Sequence, residues 1–267
     1  MQLPPTLLSD IHNTILSGYY ERLTPVRRER KSLSEILERE LAEGRLPLIL
    51  EVATARPGGR LLLPTRSQAG DMMDRLSVIA PTAMSIWVEP RHMAGDLRWL
   101  SRERSFPLIS KDFVLDSRQI VGGDAILLSR SLLALAGVDE HPLIEAAHDL
   151  DMEVVLEVRT QDEMAQARQS EADVISIHNA GANGGGLDIN TTLSLLSSHR
   201  TTRPVISSLG VHTPAQARQI LTAGATAIEL DAEVCASPSA LDVIAGLKRA
   251  VNGKEPAAGP KNEAKTS

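Results

Sequence analysis

A single cysteine, Cys235, stands in this chain of 267 residues, which excludes a disulfide framework and a cysteine-rich metal site. Aromatic side chains are nearly as scarce. Trp87, Trp99, Tyr19, Tyr20, Phe106 and Phe113 amount to 2% of the sequence, so few residues could stack on an aromatic ligand. No apolar run reaches the length of about 18 residues that a membrane span needs, and the start MQLPPTLLSD lacks the charged and apolar regions of a signal peptide. A membrane is therefore not an expected partner, and the cytoplasm is the expected location. Positive charge is in deficit too. A formal net charge of −6 argues against a broad polyanion-binding surface, and nucleic acid is not expected as a partner. Seven histidines show no metal-ligand spacing, so neither a metal nor another cofactor is expected.

What is abundant is apolar sequence in short pieces. Hydrophobic residues make up 42% of the chain, enough for one large core. Strand-length runs recur at Leu46 to Val52 (LPLILEV), Thr82 to Val88 (TAMSIWV), Phe106 to Ser110 (FPLIS), Asp124 to Leu128 (DAILL), Met152 to Val158 (MEVVLEV), Asp173 to Ile177 (DVISI), Pro204 to Ser208 (PVISS) and Thr226 to Leu230 (TAIEL). Helical periodicity separates most of them, as in TPAQARQILTA, where Thr213 offers a cap, Pro214 suits the first turn and Gly224 follows the end. Eight alternating units predict an α/β fold, a single (β/α)₈ TIM barrel over residues 46–251. A helical extension over residues 1–45 precedes it, with helices at Leu7 to Tyr20 and Ser32 to Glu43, the second opening on a Ser-x-x-Glu capping pattern. The polar, aperiodic stretch 252–267 is expected to be a disordered tail.

In such a barrel the C-terminal ends of the strands carry the chemistry. Three charged residues fall there on odd-numbered strands: Glu51, Glu157, and Lys111 just past the third strand. They are expected to converge on one side of the mouth, because inward residues of alternate strands share layers. A carboxylate inside VVLEV needs a partner, and Lys111 is the candidate. Two readings stay open: a structural network at the rim, or an acid/base constellation in which Lys111 is a general acid.

The run PLISKDFVLDSRQI followed by DAILLSRSLL, with RRERKSLSEILEREL, LPLILEV, SIWVEPRHMAGDLRWL and MEVVLEVRTQDEMAQA, resembles the indole-3-glycerol-phosphate synthase family over about residues 25 to 250. The resemblance implies a lyase that closes an indole ring on a carboxyphenylamino-deoxyribulose phosphate with loss of carbon dioxide and water. It places Lys111 as the general acid at the substrate carbonyl, Glu157 as the acid/base assisting dehydration and Glu51 as their supporting carboxylate. Phe113 would line an aromatic pocket.

The chain also departs from the family's pattern. The first-strand Glu-x-Lys-x-x-Ser-Pro reads Glu51-Val52-Ala53-Thr54-Ala55-Arg56-Pro57, replacing a substrate-binding lysine by Ala53 and a serine by Arg56. Asn-x-Arg on the sixth strand reads His178-Asn179-Ala180, and Ser-Glu-Ser-Gly on the seventh reads Ser207-Ser208-Leu209-Gly210, which deletes a carboxylate. The Gly-Ser that cups phosphate reads Asp231-Ala232, and Met93 stands for an aromatic before Gly95. Some five residues are absent between Gln119 and Asp124, so the third helix must be short. A phosphate dianion within ~5 Å of Asp231 would meet a repulsion of about 3 kcal/mol per charge pair at an effective dielectric of ~20, which Arg56 could partly offset. Arg56, Phe113, His178, Asn179, Gly210 and Asp231 are the expected substrate-binding positions, and the glycine-rich loop 181–186 is a further candidate for holding an anion. The expected partner is a small-molecule substrate. A lyase with this acid remains one functional class, and a catalytically impaired paralogue serving as a binding or scaffold protein is the other.

Overall fold

The computed structural model describes residues 5–22, 30–56, 60–65, 67–101, 104–180 and 186–252. The expected tail from residue 253 onward, Pro57 and positions 181–185 of the glycine-rich loop lie outside them.

Two helices, α1 (Leu7–Leu16) and α2 (Leu33–Ala42), precede β1 (Leu48–Val52) and α3 (Ser67–Ser77). Then follow β2 (Ala83–Trp87), β3 (Leu108–Lys111), β4 (Ala125–Ser129), α4 (Arg130–Ala136), α5 (His141–His148), β5 (Glu153–Val158), α6 (Gln161–Ala167) and β6 (Val174–His178). The chain continues through α7 (Asn190–Ser198), β7 (Val205–Ser208), α8 (Pro214–Ala223), β8 (Ala227–Leu230), α9 (Ala232–Ala236) and α10 (Ala240–Asn252). Each strand pairs in parallel with the next, and β8 pairs with β1, so the sheet closes as an eight-stranded barrel.

Local signals explain the units that form cleanly. At α8, Thr213 accepts from the Gln216 backbone N–H, Gln216 answers back to Thr213, and Gly224 ends the helix at φ +109°. The first helix is shorter than its periodicity suggests. It stops at Leu16, because Gly18 turns the chain at φ +68° before a 3₁₀ turn at Tyr20–Arg22. The link from β3 to β4 contracts to one 3₁₀ turn at Ser117–Gln119, capped by Asp116. Strand β3 is shifted toward its C-terminus relative to the expected 106–110, so Lys111 is its last residue and pairs in register with Trp87.

Helix α2 closes the N-terminal end of the barrel. Leu33 and Leu37 pack with Ile49, Ala83, Ile109, Val155 and Val174 in the barrel's own apolar interior. Ser32 and Ser34 clasp Glu153, the first residue of β5, through both hydroxyls at 2.7 Å and the Ser34 N–H at 2.9 Å. Helix α1 and the turn after it reach the opposite end, where the Tyr20 hydroxyl donates to Asp112 at 2.9 Å, next to Lys111. With one end plugged by leucines, polar inward residues have only the C-terminal end in which to meet.

Candidate functional site

Side chains two apart on a strand share a face, so Glu51 lies inward with Ile49, Lys111 with Ile109, Glu157 with Val155 and Glu229 with Ala227. The lower positions of these pairs are apolar and the upper ones charged. Lys111 is 2% exposed, and its ammonium donates to Glu51 Oε1 at 2.7 Å and to Glu229 Oε1 at 3.0 Å. Its nitrogen also sits 5.6 Å from the centre of the Trp87 ring. Glu51 is held at both oxygens, by Lys111 and Trp87 Nε1 (2.8 Å) at Oε1 and by the Ala232 N–H (3.0 Å) at Oε2. Glu229 accepts from the Ser85 hydroxyl at one oxygen and from the Ser208 hydroxyl at the other.

This arrangement corrects one expectation. The partner of Lys111 besides Glu51 is Glu229, not Glu157. Glu157 lies near the same end but takes Ser129 Oγ at 3.0 Å and Arg159 Nη2 at 3.1 Å. Glu229 is the residue that the sequence reading missed. Its signal was present, since TAIEL carries a carboxylate at an inward position of an apolar strand, as VVLEV does. The hydroxyl of Ser208 now serves as a donor to that carboxylate.

The electrostatics follow from these contacts. Burial pushes the Lys111 ammonium toward neutrality, and Glu229 and Glu51, with a further pull from Glu157, overcome it and hold its pKa above the ordinary lysine value. Burial likewise opposes charge on Glu51, but Lys111, Trp87 and the Ala232 N–H bring its carboxyl below the usual range. For Glu157 burial is outweighed by cationic His178, Arg159 and Lys111, which set it at about 2. His178 itself is pushed down by burial more than Glu157 pulls it up, so near neutrality the standing cations around Glu157 are Arg159 and Lys111. The result is a charged lysine and an ionised Glu157 at one end of a barrel.

The remaining expected positions divide. Phe113 is buried, with its ring 5.2 Å from Trp87 and 6.3 Å from His92, so an aromatic wall stands beside Lys111. His178 is inward, and its Nδ1 accepts from the Ala180 N–H at 3.0 Å. Asn179 points away from the interior: its amide donates to Ser207 Oγ and the Leu209 carbonyl and accepts from Thr192 Oγ1 and N–H, so every function of the side chain is spent on holding β6 to the end of β7 and to α7. Gly210 adopts φ +82° with the Leu187 side chain 3.0 Å from where a Cβ would be, which makes it a turn residue at the end of β7. Arg56 is ion-paired with Glu233 rather than left open toward the mouth. Asp231 caps α9, accepting from the Val234 N–H at 3.0 Å. Cys235 is buried with its thiol pKa pushed up by burial, which removes it as a nucleophile. Among the described residues no group of three or more His, Cys, Asp or Glu is placed to hold a metal ion, and no helix is long and apolar enough to cross a membrane.

Comparisons with known proteins give the family and the fold. The family model described as Indole-3-glycerol phosphate synthase matches residues 13–243. Proteins of that description from Lactiplantibacillus plantarum and Halobacterium salinarum are 28% and 27% identical to the chain; the matches cover 87% and 84% of it and 92% and 91% of those proteins. Among solved structures, an archaeal fructose 1,6-bisphosphate aldolase superimposes with a TM-score of 0.58 at 16% identity, covering 84% of this chain and all of that one, a likeness of fold.

Proposed function

This chain belongs to the indole-3-glycerol phosphate synthase family, and from that premise we propose that it is a cytoplasmic carbon–carbon lyase acting on an arylamino-ketose, closing the ring with loss of carbon dioxide and water. The observation that carries this reading is the buried ammonium of Lys111, held between Glu51 and Glu229 beside the Trp87–Phe113 wall. An aryl ring packs against such a wall, and the ketone oxygen points to the ammonium.

The proton inventory assigns the roles. When the aryl carbon bearing the carboxylate bonds to the ketone carbon, charge develops on the ketone oxygen, and that oxygen is more basic than an amine. Lys111 is therefore a competent donor even with its pKa raised, because transfer runs downhill once the bond forms. The carboxylate leaves as carbon dioxide and returns its electron pair to the ring. The new hydroxyl then departs as water with a second proton, and the adjacent ring carbon gives one up to a base. Glu157, ionised at rest, is that base. Two protons enter and one leaves, so the cycle draws one from solvent.

Incubating the protein with 1-(2-carboxyphenylamino)-1-deoxyribulose and, separately, its 5-phosphate tests the reading by indole absorbance and carbon dioxide release. Turnover of at least one compound, falling by ~10²-fold or more in Lys111→Met, is expected for a general acid. Absence of turnover of both, or turnover that survives the substitution, would assign the Glu51–Lys111–Glu229 cluster to barrel stability alone and favour a binding or scaffold role.

A further inference from the structure

Resting on the lyase reading above, we infer that Tyr20, on the turn after α1 and outside the barrel, is a positioning residue for the substrate's aryl ring: its hydroxyl fixes Phe113 in the aromatic wall. Phe113 lies two residues past the end of β3, where ladder pairing has stopped. Side chains take over both of its backbone polar groups. Its N–H donates to Asp112 Oδ1 at 2.6 Å, and its carbonyl accepts from Gln119 Nε2 at 3.0 Å. The Tyr20 hydroxyl joins these two holders, donating to the other oxygen of Asp112 at 2.9 Å and accepting from the same Gln119 nitrogen at 3.2 Å. The circuit closes on itself, with the Phe113 backbone inside it. Gln119 is fixed in turn, because its Oε1 accepts from the Leu115 and Asp116 N–H groups.

Packing does not account for the hydroxyl. A phenylalanine would fill the same buried space and keep the edge contact with Tyr19, whose ring centre is 5.1 Å away. What the oxygen adds is its two hydrogen bonds, and both go to the groups that hold Phe113. Tyr20, Asp112 and Gln119 are all buried, and polar groups in such a place are costly unless they satisfy one another.

The same segment reaches the other side of the wall. The Tyr19 hydroxyl donates to the Val88 carbonyl at 3.3 Å, one residue past Trp87. Asp10 of α1 lies 3.2 Å from His92 Nε2, and the His92 ring stands edge-on to Phe113. Two loops of the barrel mouth, one after β2 and one after β3, are thus tied to one segment outside the barrel. Lys111 is paired independently of that segment, with Glu51 and Glu229, so the wall and the acid can be perturbed separately.

The test is calorimetry on the full chain with 1-(2-carboxyphenylamino)-1-deoxyribitol 5-phosphate, in which the ketone is reduced so that nothing turns over. Tyr20→Phe should weaken binding about tenfold and raise KM for the matching ribulose phosphate alike, while kcat stays within about threefold. Ser34→Ala breaks a 2.7 Å hydrogen bond to Glu153 at the opposite end of the barrel, controls for lost stability and should leave binding unchanged. With Trp99→Phe in every protein tested, Trp87 is the sole tryptophan, and Tyr20→Phe should increase acrylamide quenching of its fluorescence as Phe113 loosens beside it. Unchanged binding or quenching in Tyr20→Phe, an equal loss in Ser34→Ala, or a fall in kcat as large as the rise in KM overturns the inference while leaving the lyase reading in place. If the unaltered protein does not bind the compound, the lyase reading fails and the seating role of Tyr20 with it.

Discussion

Replacing Lys111 by methionine keeps most of the side-chain volume and removes a cation lying 2.7 Å from Glu51 and 3.0 Å from Glu229. At an effective dielectric of ~20 each contact is worth about 6 kcal/mol of gross attraction, most of which only offsets the desolvation of the three groups. What the substitution exposes is the uncompensated remainder: two buried carboxylates facing one another. Removing one partner of a buried network costs about 3–5 kcal/mol, which in a chain of this size lowers the melting temperature by about 10 °C. The loss must depend on pH with a defined sign. Without Lys111 the folded state retains a proton on the Glu51–Glu229 pair that the unfolded state releases near the ordinary glutamate value of 4.5. The folded form then binds more protons, so the penalty grows as pH rises and fades toward pH ~5. Urea denaturation at pH ~5 and ~8 reads this directly, and adding Glu229→Gln to Lys111→Met should return about half of the loss at the higher pH. A loss below about 1 kcal/mol at pH ~8, or one of equal size at both pH values, would refute the picture of a buried charge network. On the proposed lyase reading, Glu229→Gln alone should move the alkaline limb of kcat to lower pH, because after burial Glu229 is the leading influence on Lys111 and it raises that pKa.

Two other residues allow independent checks. Asp112 is pushed up to about 7 by burial and by Glu89, against the hydrogen bonds from Tyr20 and the Phe113 N–H. The folded state therefore keeps a proton that the unfolded state gives up near 3.8, and stability should decline by a few kcal/mol, on the order of 1.4 per unit, between pH ~4 and ~7. Asp112→Asn should flatten that decline in denaturation curves, and an unchanged slope would show that another group titrates. At Gly95 an added Cβ would lie 2.4 Å from the Val88 carbonyl carbon, so Gly95→Ala must displace the backbone after β2. A melting temperature within about 1 °C of the unaltered protein would show that the loop yields more easily than its packing implies.

The barrel was legible in the sequence because its cause is local and repeated. Eight apolar runs of strand length, alternating with amphipathic segments, leave a parallel closed sheet as the arrangement that buries every strand on both faces. Lys111, Glu51 and Glu157 were legible for a related reason: a charge in an apolar strand is conspicuous wherever it falls. Helix α8 was also written locally, in Thr213, Pro214, Gln216 and Gly224. Who pairs with whom was not local at all. Glu229 lies 118 residues from Lys111 in sequence, and only the closure of β8 against β1 brings its carboxylate to the ammonium. The same closure gives the Ala232 N–H to Glu51 and fastens Arg56 to Glu233. Strand composition determined which residues face inward. Tertiary closure decided which of those inward charges neutralise one another, because Coulomb energy and hydrogen bonding depend on distances of about 3 Å that no spacing along the chain specifies.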